Sequence, residues 1–213
     1  MLRRMGHPWN HKRVYRVYCK MKLNQKRRSK RKIPSRPRMP LWVPERANQV
    51  WSADFMSDSL YAGRRFRTFN VIDDFNREVL AIEVDTSLTG RRLIRILERI
   101  RQERPLPDVL RVDNGPEFMS GDFVAWAESA GMKIQYIQPG EPNQNAYIER
   151  FNKTYRDEVL DLYLFQNLDE VRERTYWFMV EYNDHRPHDS LGDLPPSEYA
   201  ARTAGNSSFQ LST

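Results

Sequence analysis

The chain has 213 residues, and 39% of them are hydrophobic, including ten Phe, ten Tyr and five Trp, so a wholly disordered protein is excluded. The single cysteine, Cys19, excludes an internal disulfide and a cysteine-rich zinc module. No apolar stretch approaches the ~18 residues of a membrane span, and the start of the chain lacks the apolar segment of a signal peptide, so we expect a cytoplasmic protein that does not bind membranes.

Charge is divided unevenly along the chain. The total is 35 Lys and Arg against 28 Asp and Glu, a net charge of +7. Residues 1–44 hold 15 of the basic residues and no acid, so residues 45–213 hold 20 basic residues and 28 acids, a net charge of −8. This asymmetry predicts a nucleic-acid-binding arm over residues 1–44, a globular core over 45–205 and a disordered tail over 206–213.

The basic arm begins with a helical pattern. Asn10 is a good N-cap, and apolar residues recur at helical spacing up to about residue 22. One such helix cannot bury its own face, so we expect it to belong to a larger bundle. The residues predicted to contact DNA phosphates follow it: Lys26, Arg27, Arg28, Lys30, Arg31 and Lys32. Such a run is a solvated tail in many proteins, and a proline-rich linker follows it.

The core shows alternating strand and helix patterns. Strands are predicted at residues 50–56, 65–72, 78–84, 109–112 and 134–136, and helices at 93–100, 123–130, 145–162 and 169–182. Three successive strands followed by alternating helices and strands favour an α/β fold with a mixed five-stranded sheet flanked by helices.

Three carboxylates are candidates for a metal site. Asp54 lies in the first predicted strand, and Asp113 lies at the carboxyl end of the fourth, where α/β sheets place ligands. Glu149 lies in a predicted helix and shares one of its faces with Lys153 and Arg156. Another face of this helix is the predicted core stripe, formed by Ile148, Phe151, Tyr155, Val159 and Leu162. Carboxylate oxygens suit Mg²⁺ or Mn²⁺, and two such ions can promote phosphodiester chemistry. The two basic side chains would then face DNA phosphates.

Other interpretations of these residues remain open at this point. The chain holds 28 acids, so three of them in this arrangement also fit surface or helix-cap positions. Two adjacent acidic pairs, Asp73 with Asp74 and Asp157 with Glu158, are predicted in a turn and on a solvated helix face. The four histidines lack cysteine partners for a zinc knuckle, and we expect them to be structural or to face phosphates; they are His7, His11, His185 and His188.

Four sequence blocks resemble a known enzyme family. Residues 51–54 (WSAD), 113–118 (DNGPEF) and 145–153 (NAYIERFNK) resemble the signature blocks of the DDE integrase/transposase core. Thirty-five residues separate Asp113 from Glu149, Arg156 stands seven positions beyond that glutamate, and residues 182–191 (YNDHRPHDSL) resemble the family's tail motif. The chain is therefore similar to the OrfB-type transposases of insertion sequences, which have a retroviral-integrase-like (rve) core.

The resemblance implies an RNase H-like fold and a DNA strand cleavage and strand transfer activity. Asp54, Asp113 and Glu149 would be the catalytic residues and would bind two Mg²⁺ (or Mn²⁺) ions, while Asn114, Lys153 and Arg156 would position DNA. Water and then a freed 3′-hydroxyl would attack phosphodiesters at the element ends and in the target.

The family also predicts the partners of the chain. They are double-stranded DNA at element ends and target, further copies in a homo-multimer, and an upstream transposase product. Completion by this product is one of three explanations for the partial helix-turn-helix of residues 10–22; the others are a late start and a truncated copy. In bacteria such a protein is expected at the nucleoid. Two alternatives are a metal-dependent nuclease of the same fold, which cuts without joining, and a non-catalytic DNA-binding relic.

Overall fold

The structure, a computed structural model, describes residues 6–23, 44–137 and 145–207. The chain divides into two units, Met1–Pro40 and Leu41–Thr213, and each is described by itself. The six basic residues predicted to contact DNA phosphates, from Lys26 to Lys32, lie outside the described residues. None of the described helices is long and apolar enough to cross a membrane.

The first unit contains helix α1, which spans His11–Lys20. It begins where the sequence predicts, because the Asn10 side chain accepts a hydrogen bond from the backbone N–H of Lys12 at 2.9 Å. No residue of α1 is buried, and apolar side chains such as Val17 and Met21 are exposed. A single helix therefore forms no core of its own here, as its pattern indicates.

The second unit is built on the mixed five-stranded sheet that the sequence predicts. Its strands are β1 (Val50–Ser59), β2 (Arg65–Asp73), β3 (Val79–Asp85), β4 (Val109–Val112) and β5 (Lys133–Tyr136). The order across the sheet is β3-β2-β1-β4-β5; β2 pairs antiparallel with β1 and β3, whereas β4 pairs parallel with β1 and β5. Strand β1 is therefore central and hydrogen-bonded on both sides.

Helices cover both faces of this sheet. They are α2 (Gly90–Arg101), α3 (Gly121–Ser129), α4 (Ala146–Tyr155), α5 (Leu168–Val180) and α6 (Pro196–Ser207). Helix α4 continues into a π-helical turn over Arg156–Leu160, and α5 continues into a second one over Glu181–His185. Each π-helical turn inserts one residue into the helical register.

Alternate side chains of β1 point to opposite faces of the sheet. Trp51 and Ala53 pack in one apolar cluster with side chains of α2 and α3, such as Leu93 and Phe123. Met56 packs in a second cluster, on the other face, with side chains of α4 and α5 that include Phe151, Tyr155 and Phe178. Asp54 therefore points to the face that α4 covers.

Two adjacent acids at the end of β2 are fully buried, which their predicted turn position did not indicate. Asp73 accepts hydrogen bonds from the backbone N–H groups of Asn48 at 2.7 Å and Phe75 at 2.9 Å. Asp74 accepts one from Arg111 Nη1 at 2.8 Å, and the two side chains are 0% and 3% exposed. Burial raises the pKa of Asp74 to about 6, although Arg111 opposes the rise.

Two further details differ from the predicted elements. Leu162 is 63% exposed, whereas the helical spacing predicted it in the core; the π-helical turn ends at Leu160, which is 5% exposed and fills the core instead. Helix α6 was not predicted at all, although Pro196 occupies its first position, where proline is favoured. The helix also extends to Ser207, into the segment predicted to be a disordered tail.

Candidate active site

Asp54 lies at the centre of the sheet, and its carboxylate is half-buried. One carboxylate oxygen accepts a hydrogen bond from the backbone N–H of Phe55 and the other accepts one from Asn152 Nδ2, both at 2.8 Å. Burial raises the pKa of Asp54 to about 6, and the negative charges of Asp113 and Glu149 add to the rise, whereas the two hydrogen bonds oppose it. Asp54 is thus held in one orientation and destabilised in its charged form.

Asp113 follows β4, the strand that pairs in parallel with β1. Its Oδ1 accepts a hydrogen bond from the backbone N–H of Gly115 at 2.9 Å. A Cβ at position 115 would lie 2.9 Å from the same oxygen, so only glycine leaves this turn undisturbed. Asn114 Nδ2 donates to the carbonyl of Ile137 at 3.1 Å, which ties the turn to the end of β5. The turn therefore places Asp113 beside Asp54.

Glu149 reaches the same region from the first turn of α4. The neighbouring Ile148 and Phe151 are buried against the sheet, so the helix is anchored while Glu149 itself is exposed. Partial desolvation raises the pKa of Glu149. Glu149 forms no hydrogen bond or ion pair with any residue in the described part of the chain. Its side chain can therefore change rotamer without breaking a contact there.

The structure brings the three predicted acids into one neighbourhood, because the charges of Asp113 and Glu149 both act on Asp54. Over residues 6–23, 44–137 and 145–207, however, no group of three or more His, Cys, Asp or Glu side chains is arranged to hold a metal ion. The donor chemistry nevertheless fits a hard divalent cation, which would relieve the repulsion among these oxygens.

Two asparagines that the sequence did not single out support Asp54. Asn70 of β2 is fully buried and donates through Nδ2 to Asn152 Oδ1 at 2.7 Å. Asn152 in turn donates to Asp54, so a chain of two carboxamides orients the carboxylate. The signal for Asn152 was its position, three residues after Glu149 and hence on a neighbouring part of the same helix face. Nothing in the sequence indicates the role of Asn70, because that role depends on its position opposite Asp54 in the pairing of β1 with β2.

The side chains predicted to position DNA have partners within the protein. Lys153 forms an ion pair with Asp157, one helical turn further along. Arg156 Nη2 donates to the carbonyl of Ser57 at 3.0 Å. The Asn114 side chain donates to the carbonyl of Ile137. DNA that binds to these side chains would have to replace or share their present contacts.

Asn152→Leu is expected to raise the pKa of Asp54 above its present value of about 6, because the lost hydrogen bond favours the charged carboxylate. The variant should also lose about 1–3 kcal/mol of unfolding free energy, since it leaves the buried Asn70 amide unpaired. Carboxyl NMR titration of the metal-free protein measures the pKa. Asn167→Ala, which removes the N-cap of α5, is the matched control that should lower stability and leave this pKa unchanged. An unaltered pKa in Asn152→Leu would contradict the support assigned to Asn152.

Comparison with known proteins relates this geometry to a family. Two family models, both described as an integrase core domain, match residues 44–142 and residues 130–196.

Solved structures share the fold. The catalytic core domain of HTLV-2 integrase, in complex with magnesium, superposes with a TM-score of 0.60 at 18% identity over 73% of this chain and 98% of that one. A chain of the simian T-cell lymphotropic virus intasome has a TM-score of 0.65 at 14% identity, covering 92% of this chain and 68% of that one. The predicted RNase H-like fold is thereby confirmed.

Bacterial insertion elements supply more similar sequences. A protein of insertion element IS476 from Xanthomonas euvesicatoria is 41% identical over 90% of this chain, which spans 56% of that protein's length. The transposase of IS629 from Shigella sonnei is 28% identical over 74% of this chain and 53% of its own length. A protein of insertion element IS407 from Burkholderia multivorans is 41% identical over 95% of this chain and 73% of its own length. The chain therefore belongs to the insertion-sequence transposases that contain an integrase core domain.

Proposed function

We propose that this chain is the catalytic subunit of a DDE-type transposase, which cleaves DNA strands and transfers them to a target, and that Asp54, Asp113 and Glu149 form its catalytic site. One observation carries the proposal: three carboxylates from β1, the β4 turn and α4 are close enough that two of them raise the pKa of the third. Such like-charge clusters are costly to assemble and are typical of functional sites.

The three carboxylates would hold two divalent ions, Mg²⁺ or Mn²⁺. When bound, such ions supply activation of an attacking oxygen and stabilisation of a leaving oxygen at a phosphodiester. The magnesium in the HTLV-2 integrase core supports this choice of metal.

The protein's own part in the reaction is to position these groups. Asn152 and Asn70 would keep Asp54 in a fixed orientation, and the glycine turn would keep Asp113 beside it. Glu149 would be the adjustable ligand, because no described contact restrains its side chain. Lys153 and Arg156 would exchange their present partners for DNA phosphates.

The substrate would be double-stranded DNA at the element ends and at the target. The basic residues 1–44 would provide most of the phosphate contacts, and copies of the chain would assemble on paired ends. An upstream transposase product would complete end recognition. The intasome and the trimeric form among the similar structures support assembly as a multimer.

Nicking and joining of supercoiled plasmid DNA test the proposed function. Purified full chain with Mg²⁺ or Mn²⁺ should convert the plasmid to the nicked form, and a labelled element-end oligonucleotide should become joined to it; EDTA should stop both reactions. Nicking without joining would overturn strand transfer and indicate a nuclease of the same fold. Binding without nicking, with and without the upstream product, would indicate a DNA-binding relic.

Replacing the six basic residues from Lys26 to Lys32 with glutamine is expected to weaken DNA binding and to flatten its salt dependence. Each phosphate contact contributes about 0.9 to the slope of log affinity against log salt, so losing several contacts lowers the slope by several units. Fluorescence anisotropy with a short duplex between about 50 and 200 mM salt measures it. A slope equal to that of the unaltered chain would show that these six basic residues do not contact DNA phosphates.

A further inference from the structure

A second concave site lies on the side of α4 that faces away from Glu149. It is a cavity of about 280 Å³, named here the tail pocket because part of it is formed by residues 186–190 of the tail motif. From α4 it receives Tyr147, Arg150 and Thr154, which share one helix face. Glu149 and Asn152 lie on the other side of the same helix. The tail pocket is thus separate from the three carboxylates.

Three arginines from three parts of the chain line the tail pocket. Arg77 comes from the turn between β2 and β3, Arg150 from α4, and Arg186 from the segment after α5. Arg186 forms an ion pair with Glu158. Arg77 and Arg150 form no ion pair within the described residues, although the charge of Arg77 lowers the pKa of the buried Asp74; Asp189 is the one acid among the residues that line the cavity. The cavity therefore carries an excess of positive charge.

The orientation of Arg77 is maintained by the surrounding protein. Its guanidinium stacks over the ring of Tyr147 at 3.5 Å from the centroid, and its backbone adopts φ +62°, which non-glycine residues rarely do. Its Nη1 is buried without a hydrogen-bond partner in the described chain. Such an unpaired buried donor is costly unless a ligand satisfies it.

The pKa of His188, which lines the tail pocket, reflects the positive charge there. Burial, with the positive charges of Arg186, Arg150 and Arg77, lowers the pKa of His188 to about 4, and Asp189 opposes this shift. The ring is therefore neutral at neutral pH, and its Nε2 is buried without a hydrogen-bond partner among the described residues. A neutral imidazole can donate to an anion that accepts from the neighbouring guanidinium groups.

We propose that the tail pocket binds a phosphate group of the DNA backbone, away from the phosphodiester that reacts. Guanidinium groups match phosphate oxygens in a bidentate manner, and the exposed Arg150 and Ser190 border the opening through which a backbone phosphate enters. The inference rests on the proposed function for the identity of the phosphate's carrier. It gives the tail motif a role: one helix, α4, would fix the distance between the reacting bond and a second contact on the same DNA.

Proton NMR of the His188 ring tests the proposal on the full chain in EDTA, which removes any contribution from divalent ions. Inorganic phosphate should shift this signal, and a short duplex should shift it and displace the phosphate. Arg150→Gln should weaken the phosphate response at least tenfold and lower the salt slope of duplex affinity by about 0.9. Arg101→Gln, an exposed arginine of α2 on the opposite face of the sheet, should change neither value.

Other outcomes would overturn the proposal. A response to phosphate that the duplex does not displace would assign the cavity to a free phosphate compound. An equal response to acetate would assign it to a carboxylate, and no response to any of them would leave no anion site. Cleavage assays with Mg²⁺ separate this inference from the proposed function. If cleavage is intact and the His188 signal responds to neither phosphate nor duplex, the proposed phosphate site is wrong and the proposed function stands. If the duplex shifts the His188 signal but no cleavage occurs, the catalytic assignment is wrong and the phosphate site stands.

Discussion

Glu149→Gln should reduce metal-dependent DNA nicking by at least about 10³-fold, which corresponds to about 4 kcal/mol of transition-state stabilisation. The substitution preserves the size of the side chain and removes the charge that a divalent ion requires. Glu149 is exposed and makes no described hydrogen bond or ion pair, so the fold does not depend on it. Initial rates of plasmid nicking, compared with those of the unaltered chain, measure the effect.

Two comparisons make this experiment specific to the site. Glu173→Gln changes an exposed acid on α5 and should nick at the normal rate. Duplex affinity of Glu149→Gln should stay within about twofold, because we propose that residues 1–44 supply most of the phosphate contacts. If Glu149→Gln nicks DNA at the normal rate, residues other than Glu149 carry out the reaction. If the variant loses much of its duplex affinity, binding and catalysis are not separate in the way proposed.

Arg111→Ala should cost about 3–5 kcal/mol of unfolding free energy, because it leaves Asp74 as a buried carboxylate without its partner. The two side chains are 3% and 0% exposed and lie 2.8 Å apart. The pKa of Asp74 is already raised to about 6 by burial, so the folded state binds a proton more readily than the unfolded chain does. Loss of Arg111 raises this pKa further, so the stability of the variant should rise as the pH falls, beginning above pH 6, and urea unfolding at pH 5 and pH 8 measures the difference.

The double variant Arg111→Met with Asp74→Leu separates two effects on stability. One is the cost of leaving a buried charge unpaired, and the other is the stability that the ion pair itself contributes. Replacing both charges with apolar groups of similar size is expected to change stability little or to increase it. A double variant as unstable as Arg111→Ala would show that the pair itself contributes the stability. Equal stability of Arg111→Ala at both pH values would contradict the burial of an uncompensated charge.

The sheet and the positions of the acids were predictable because they depend on local patterns. The strands are dense in β-branched and aromatic residues, and Asp113 follows its strand in a run of turn-forming residues. Contacts between distant residues were not predictable. Asn70 meets Asn152 across 82 residues, and Asp74 meets Arg111 across 37, so no spacing in the sequence indicates either contact.

Helix α4 shows where a periodic pattern fails. Its apolar spacing placed Ile148, Phe151, Tyr155 and Val159 correctly in the core. The π-helical turn buries Leu160 beside Val159, and the helix ends at Leu160, so Leu162 lies in the following turn and in solvent. Helical periodicity assumes an uninterrupted α-helix, so a change of register inside the helix is invisible to it.

The central place of β1 has a consequence for when the proposed active site can form during synthesis of the chain. Val50 pairs with Val109, so the parallel contact between β1 and β4 closes a long loop, which is a slow event in folding. Glu149 and Asn152 leave the ribosome later still. A chain still being made carries its basic arm early and lacks Glu149, the third of the proposed catalytic carboxylates, until most of the protein exists. Under the proposed function, attachment to DNA would thus precede the capacity to cut it.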